Sequence, residues 1–384
     1  MARNPLGAKG VTAEASIARL CLTGLPALEL FERAAGPLRR AVPYRAAAWK
    51  PVDPQTLLWT GFGLEDWGSG EAAARWRFVD NELLDSDFAK YRDLAVRRVP
   101  VSTLHRETHG EPDRSLRYRN LHASQGFGAE LRTVFRAGGN AWGIATLVRA
   151  SDQPDFSDRE IAFAARISAH LGHGLREALL REEAAAGPAD RVPGVIVLGE
   201  DGTVRSLTEQ AEFWLEQFPA DRGTGLELPA AVHAVARRAL APAGWPGAGA
   251  VPPCASVRLA SGRWLTLHAA PLLAGPDDPA AVAVTLAPAG AGELEPLRLA
   301  LHGLTPRERE VARLLTKGAA NDEIASTLRI SRYTVKDHAK AVYAKLGVSS
   351  RAELGAKLFY QNVAPQFGQG RVRQFTGAGA DPGR

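Results

Sequence analysis

The chain has 384 residues, of which 45% are hydrophobic and 23% charged, a balance that suits two or three globular domains better than one core. It has no run near the roughly 18 apolar residues that a bilayer span needs. Its first residues, M-A-R-N-P-L-G-A-K-G, lack an apolar signal core, and its two cysteines, Cys21 and Cys254, stand too far apart in sequence for a C-x-x-C motif. These features argue against a bilayer-spanning segment, a disulfide framework and a zinc ribbon, and the expectation is a cytoplasmic protein. The net charge of +5 is uneven: Leu301–Arg384 hold 14 Lys+Arg against 7 Asp+Glu, whereas the first 300 residues hold 33 against 35. The basic surplus therefore belongs to the C-terminal segment, where a DNA-binding surface would put it.

A first domain is expected over residues 11–183. Val11 to Ala41 reads as helix, interrupted near Gly24 and Pro26. Tyr44 to Trp49 and Leu57 to Phe62 read as strands around the turn Pro51-Val52-Asp53-Pro54. A helical run follows near Phe88 to Arg98, then a polar, Arg- and His-containing loop near 105–122. Ala129–Phe135 and Trp142–Val148 read as adjacent strands joined by Ala137-Gly138-Gly139-Asn140. In Phe156-Ser157-Asp158-Arg159-Glu160-Ile161, Ser157 and Glu160 make a capping box, and Phe156 and Ile161 a hydrophobic staple. The helix they start reaches about Glu183, long enough to pair with its copy in a dimer.

The stretch E-L-R-T-V-F-R-A-G-G-N-A-W-G-I-A-T-L-V-R-A-S-D-Q-P-D-F-S-D-R-E-I, with the order helix, strands, excursion, hairpin and helix, resembles a GAF domain. That resemblance implies a cup that senses an unknown small molecule or a protein. Trp49, Trp59, Tyr118, Arg132 and Trp142 are candidates to line it; the alternative for each is aromatic core or surface charge. His105 and His109 lie four apart without a third ligand, so no metal is expected, and nothing calls for a cofactor.

Residues 184–193 read as a linker. A second domain is expected over 194–287: strands Val195–Leu198 and Val204–Leu207 around Asp201-Gly202, helices from Glu209 to about Gln217 and from about Pro229 to Leu240, strands Val257–Ala260 and Trp264–Ala269 around Ser261-Gly262, then Ala281–Leu286. Residues 241–253 are rich in Ala, Gly and Pro and read as a loop. This order resembles a small PAS domain, with Trp264 in its core. Residues 288–300 read as a second linker, and 361–384 as a disordered tail.

Residues 301–360 read as four helices. Thr305 and Glu308 make a capping box with Pro306 at the first helical position, and Val311, Leu314 and Leu315 form the inner face. Asn321 starts a short helix whose inner residues are Ile324, Ala325 and Leu328. Three residues later comes a helix over Arg332–Leu346, with Ser331 as N-cap and Gly347 beyond its end. At about 100° per residue, Val335, Ala339, Val342 and Leu346 share one stripe, while Tyr333, Lys336, Asp337, Lys340 and Ala344 lie opposite. A last helix is capped by Ser350, with Glu353 closing its box, and turns Leu354, Leu358 and Phe359 inward.

Two short helices in so tight a turn describe a helix-turn-helix. The marks L-T-P-R-E-R-E, E-I-A, T-V-K-x-H, K-L-G-V and S-R-x-E-L, spread over about 55 residues, resemble the LuxR-type (NarL/FixJ-like) domain of bacterial transcription regulators. The resemblance implies that the third helix lies in the major groove of double-stranded DNA. Lys336, Asp337 and Lys340 would then face base edges, and Arg332, Thr334 and His338 phosphates, with Tyr333 on the same surface. Lys can donate to guanine O6 and N7, and Asp can accept from cytosine N4.

The chain has no G-x-x-x-x-G-K-[ST] loop, no receiver-domain acidic pair and no nucleophile elbow. The expectation is an α+β multidomain protein: GAF-like and PAS-like sensor domains ahead of an all-α DNA-binding domain, acting as a non-enzymatic homodimeric transcription regulator. The alternative is a signalling or scaffold protein whose helix-turn-helix does not bind DNA specifically.

Overall fold

The computed structural model describes residues 5–67, 72–183, 192–221, 228–241, 252–273 and 280–362. The expected loop at 241–253, the tail at 361–384 and the linker at 184–193 lie largely outside these residues. The chain divides into two compact units, Met1–Arg309 and Glu310–Arg384.

The first unit is α+β and holds two antiparallel five-stranded sheets. Its first half runs α1 (Gly7–Leu20), α2 (Ala27–Ala41), β1 (Ala46–Pro51), β2 (Gly63–Glu65), α3 (Ala72–Leu83), α4 (Tyr91–Val96), β3 (Val101–Thr103), α5 (Leu104–Glu107), β4 (Phe127–Ala137), β5 (Asn140–Ala150) and α6 (Asp158–Glu183). Its second half runs β6 (Gly194–Gly199), β7 (Val204–Leu207), α7 (Glu209–Leu215), α8 (Ala230–Ala239), β8 (Cys254–Arg258), β9 (Trp264–Pro271), β10 (Ala281–Pro288) and α9 (Ala291–Leu301). The sheets are ordered β2-β1-β5-β4-β3 and β7-β6-β10-β9-β8. Each half thus places its strands second, first, fifth, fourth, third.

Local chemistry accounts for the main elements. At the β4–β5 turn, Gly138 and Gly139 both take positive φ, +60° and +74°, as a tight hairpin requires. The capping box of α6 forms: Ser157 N–H donates to Glu160 Oε2 at 2.8 Å, and Glu160 N–H to Ser157 Oγ at 3.4 Å. Ile161, Ala164, Ile167, Leu171 and Leu175 of α6 are buried. Gly172 lets the helix approach β4 closely, because a Cβ there would come within 2.4 Å of the Arg136 backbone.

Two elements differ from the sequence reading. Leu57–Phe62 is not a strand. It makes one bridge, Val52 to Trp59, and Leu57 sits at φ 59°. Trp59 and Phe62 both turn inward and pack ring on ring at 5.5 Å, which breaks the alternation a strand needs. Residues 291–301 form a helix instead of an open linker, because Leu294, Leu297, Ala300 and Leu301 fill the core beside α6.

The first sheet has two differently used faces. Phe31, Trp49 and Phe135 stack at 5.3–6.2 Å on the side covered by α1, α2 and α6. The opposite side feeds a second core that is continuous with the second sheet and α8. A cleft of 630 Å³ lies within this unit, lined by Leu28, Leu175, Leu259 and Trp264 among others. Among the described residues no helix is long and apolar enough to cross a membrane.

The second unit is all α. It contains the remainder of α10 (Pro306–Thr316), then α11 (Asn321–Leu328), α12 (Arg332–Leu346) and α13 (Arg351–Asn362).

Candidate nucleic-acid interface and the buried face of the first sheet

The tight turn of the second unit is built from backbone geometry. Helix α11 begins at Asn321, behind an N-cap, Ala320, that makes no side-chain bond. It ends with Arg329 in the left-handed conformation, φ 52° and ψ 48°, and Ile330 N–H donates back to Ala325 C=O at 3.0 Å. This is a Schellman closure carried by a residue with a Cβ. Helix α12 starts at once: Ser331 Oγ accepts from Thr334 N–H at 3.0 Å and shares a 2.8 Å hydrogen bond with Thr334 Oγ1. Its far end closes at Gly347, φ 63°, with Val348 N–H donating to Tyr343 C=O at 3.0 Å.

Val335, Ala339, Val342 and Leu346 are buried, so the expected dry stripe of α12 is the packed one. The opposite face is open. Arg332, Tyr333, Lys336, Asp337 and Lys340 are exposed, Tyr333 at 75%. Thr334 and His338 are half-buried, and the Thr334 hydroxyl is engaged in the cap. Arg332 pairs with Asp322 of α11 at 3.2 Å, with both side chains more than 60% exposed. The face therefore presents Lys336 and Lys340, an aromatic ring and one carboxylate on a rigid helix.

The frame behind this face is held by hydrogen bonds the sequence did not announce. Arg351 donates from Nε and Nη2 to Leu315 C=O at 2.9 and 2.7 Å, and from Nη2 to Ala319 C=O at 2.9 Å. It closes the carbonyls left open at the end of α10. Glu353 N–H donates to Ser350 Oγ at 3.2 Å as expected, but the Glu353 carboxylate takes the N–H and hydroxyl of Ser349, each at 2.7 Å. Leu354 and Leu358 are buried; the Phe359 side chain lies outside the described residues.

The proposed cup residues separate onto different surfaces. Trp49 stacks on the helix-covered face with Phe31, and Trp142 packs into the same core, donating from Nε1 to Ala137 C=O at 3.0 Å. Tyr118 is half-buried in a short turn beyond α5. Trp59 and Arg132 lie on the other face of the sheet, each against the Phe78 ring. The register pairs Lys50 with Ile144, and Ala48 and Arg132 with Thr146, so Lys50, Ala48 and Arg132 share that face.

This face carries a dense buried set of charges. Arg117 donates to Glu130 from Nε at 3.0 Å and from Nη2 at 2.7 Å, and both side chains are sealed from solvent. Arg132 donates to Glu82 at 2.5 Å and to Ala89 C=O at 2.9 Å, with its guanidinium 3.7 Å from the Tyr91 ring centre. His122 Nε2 lies 3.2 Å from Glu130, and Lys90 binds the carbonyls of Asn81 and Asp85. Although burial opposes it, the neighbouring cations, Arg117 foremost, hold the Glu130 carboxyl well below its usual range. Lys50 is the group that sequence reading missed. The alternation A-A-A-W-K-P places it with Ala46 and Ala48, opposite Trp49, and that signal was available. Among the described residues no group of three or more His, Cys, Asp or Glu comes together as a metal site.

Comparison with known proteins bears on the C-terminal segment. Residues 302–357 match the family described as bacterial regulatory proteins, luxR family. An HTH-type transcriptional regulator of Mycobacterium bovis is 43% identical over 72 residues, 19% of this chain and 8% of that protein. An HTH-type transcriptional regulator of Aeromonas salmonicida is 53% identical over 51 residues, 13% of this chain and 26% of that one. The transcriptional regulatory protein UhpA of Escherichia coli is 46% identical over 56 residues, 15% and 29% of the two chains. The chain thus spans well under a third of the length of these relatives. Among solved structures, the Escherichia coli DhaR(N)–DhaL complex aligns with 72% of this chain and 90% of that one at 14% identity and a TM-score of 0.23, too loose a likeness to bear on the fold. Residues 302–357 are therefore a helix-turn-helix domain of the bacterial luxR family.

Proposed function

We propose that the chain is a sequence-specific DNA-binding transcription regulator acting as a homodimer in the cytoplasm. Helix α12 enters the major groove. Lys336, Asp337 and Lys340 read base edges, Arg332, Thr334 and His338 meet phosphates, and Tyr333 lies against the same surface. The observation that carries this reading is the exposed face of α12, where Lys336 and Lys340 stand clear of a fully packed opposite stripe.

The first unit is the sensor. Its halves, 11–183 and 194–287, act as GAF-like and PAS-like domains, and the shared strand order of their sheets supports that pairing. A small molecule or protein partner that binds one arrangement of the dimer better than another shifts the population and, with it, the half-site spacing that the two α12 helices can span. The protein carries out no catalysis in this scheme.

The test is selection of bound sites by full-length protein from a random duplex library over a range of salt, beside the Lys340→Ala variant. A palindromic site that Lys340→Ala binds less selectively supports the reading. Equal binding of all sequences by both proteins overturns it and leaves the scaffold alternative.

A further inference from the structure

Lys50 lies near the end of β1 on the buried face of the first sheet, with 0% of the residue exposed. Its Nζ has no hydrogen-bond partner. Four rings surround it, with centres at 4.3 Å (Phe78), 5.1 Å (Trp59), 5.1 Å (Phe62) and 5.7 Å (Tyr91). The Arg132 guanidinium faces two of the same rings, Tyr91 at 3.7 Å and Phe78 at 6.0 Å, while its Nε lies 4.0 Å from Glu130 Oε1. Lys50 Nζ is thus a buried donor without an acceptor inside an aromatic enclosure that a guanidinium borders. Buried donors are nearly always satisfied, so this amine calls for an explanation.

The charges point to what is missing. The buried cations of this face are Lys50, Lys90, Arg117 and Arg132, and its buried carboxylates are Glu82, Asp87 and Glu130. His122, buried against Glu130, can only add to the positive side. With Lys50 uncharged the set balances, three cations against three carboxylates; a protonated Lys50 leaves it one anion short. A cation would be repelled, because the aromatic enclosure already holds an amine beside a guanidinium. A monoanion with an apolar body that arrives with one proton keeps the balance and matches the unpartnered amine and the ring walls together.

We propose that this enclosure is the ligand site of the sensor half, and that its ligand is a small apolar monocarboxylate whose carboxylate accepts from Lys50 Nζ beside the Arg132 guanidinium while its body lies against Trp59, Phe62 and Phe78. This rests on the sensing reading above and gives the ligand a chemical class. The ligand takes its place by moving a ring off Nζ, exchanging the contact of an uncharged amine with that ring for a charge-assisted hydrogen bond. Burial first, and then Arg132, hold the empty-site amine well below the usual lysine range. Seating a carboxylate restores the ammonium, so binding takes up a proton.

The experiment titrates full-length protein and Lys50→Met with benzoate and with butyrate, reading the melting temperature and the heat of binding in buffers of different ionisation enthalpy. Chloride and phosphate serve as controls. The proposal expects a saturable rise in melting temperature with at least one carboxylate, an uptake approaching one proton per site, and loss of both in Lys50→Met. It also expects ligand-free Lys50→Met to melt no lower than the parent, since the substitution removes an amine with no hydrogen-bond partner. No saturable shift with either carboxylate, an equal shift with chloride, an unchanged response in Lys50→Met, or a ligand-free Lys50→Met that melts lower would each overturn it. Binding to the selected DNA site is then measured with and without the carboxylate. Carboxylate binding that leaves DNA affinity unaltered keeps the site and removes the sensing reading; absence of carboxylate binding removes the site alone.

Discussion

Asp53 and Asp221 hold the two halves of the first unit together reciprocally. Asp53 lies just after β1, and its Oδ2 accepts from Ser256 N–H of β8 at 2.8 Å. Asp221 follows α7 in the second half, and its Oδ1 accepts from Phe62 N–H of the first at 2.7 Å, while Oδ2 accepts from Ala230 N–H at 2.7 Å. Each half thus sends one carboxylate onto the other's backbone, Asp53 buried and Asp221 half-buried. Burial pushes both carboxyls upward, and the N–H groups oppose that shift. Asp221→Ala should cost about 1–3 kcal/mol, because two N–H groups lose their acceptor. Denaturant unfolding measures this, and an unchanged midpoint would remove Asp221 as a tie between the halves.

The Arg117–Glu130 pair makes a second stability prediction. Both side chains are buried and linked through two guanidinium nitrogens. Arg117→Met leaves Glu130 with fewer donors in a dry interior and should destabilise by about 3–5 kcal/mol. Replacing both partners with apolar residues of similar size should recover much of that loss, and a double-mutant cycle decides it.

On α12, Lys340→Ala should weaken specific binding by about 1–3 kcal/mol and relax preference at one base position. Arg332→Ala should lower the salt slope by about 1 while changing sequence preference little. Because Arg332 pairs with Asp322 at 3.2 Å, Asp322→Asn should release it toward phosphate and strengthen binding to any sequence. Salt-dependent titrations of the three variants on the selected site and on random duplex separate these outcomes.

Arg329 should be a site of mild strain. It holds the left-handed conformation between the two helices at φ 52°. Arg329→Gly should stabilise the C-terminal unit by about 0.5–1 kcal/mol. A drop in its melting temperature instead would mean that the arginine side chain contributes more than its backbone costs.

His233, buried in α8, should give the stability curve a slope on the acid side. Burial, and then the Arg237 charge, push its imidazole down to about 3, against 6.5 ordinarily. Below pH 6.5 the unfolded chain takes up a proton that the folded chain refuses, so the stability from neutral His233 is complete above 6.5 and lost as pH falls toward 3. Between pH 7 and pH 5 the loss should be about 2 kcal/mol. His233→Leu should flatten that interval, and unfolding at the two pH values tests it.

The sequence by itself determined the elements whose signals are local. The Thr305–Glu308, Ser157–Glu160 and Ser331 caps, the Gly138-Gly139 and Ser261-Gly262 turns, and the Val335–Ala339–Val342–Leu346 stripe depend on spacing within one helix or one hairpin, and all of them form. Most of the C-terminal helices were legible for that reason, since α10, α12 and α13 carry their own caps; α11 opens on Ala320 without a side-chain cap and closes on Arg329 instead of glycine. Tertiary structure decided what depends on distant partners. Leu57–Phe62 reads as a strand, yet Trp59 and Phe62 gain more by burying both rings on one side than alternation allows. Residues 291–301 carry Gly and Pro like a linker but become helix because the core beside α6 accepts their leucines. Alternation along β1 already set Lys50 apart from Trp49, but only the approach of α3, α4, β4 and the segment carrying Trp59 and Phe62 could surround its amine with four rings and a guanidinium while leaving it no acceptor.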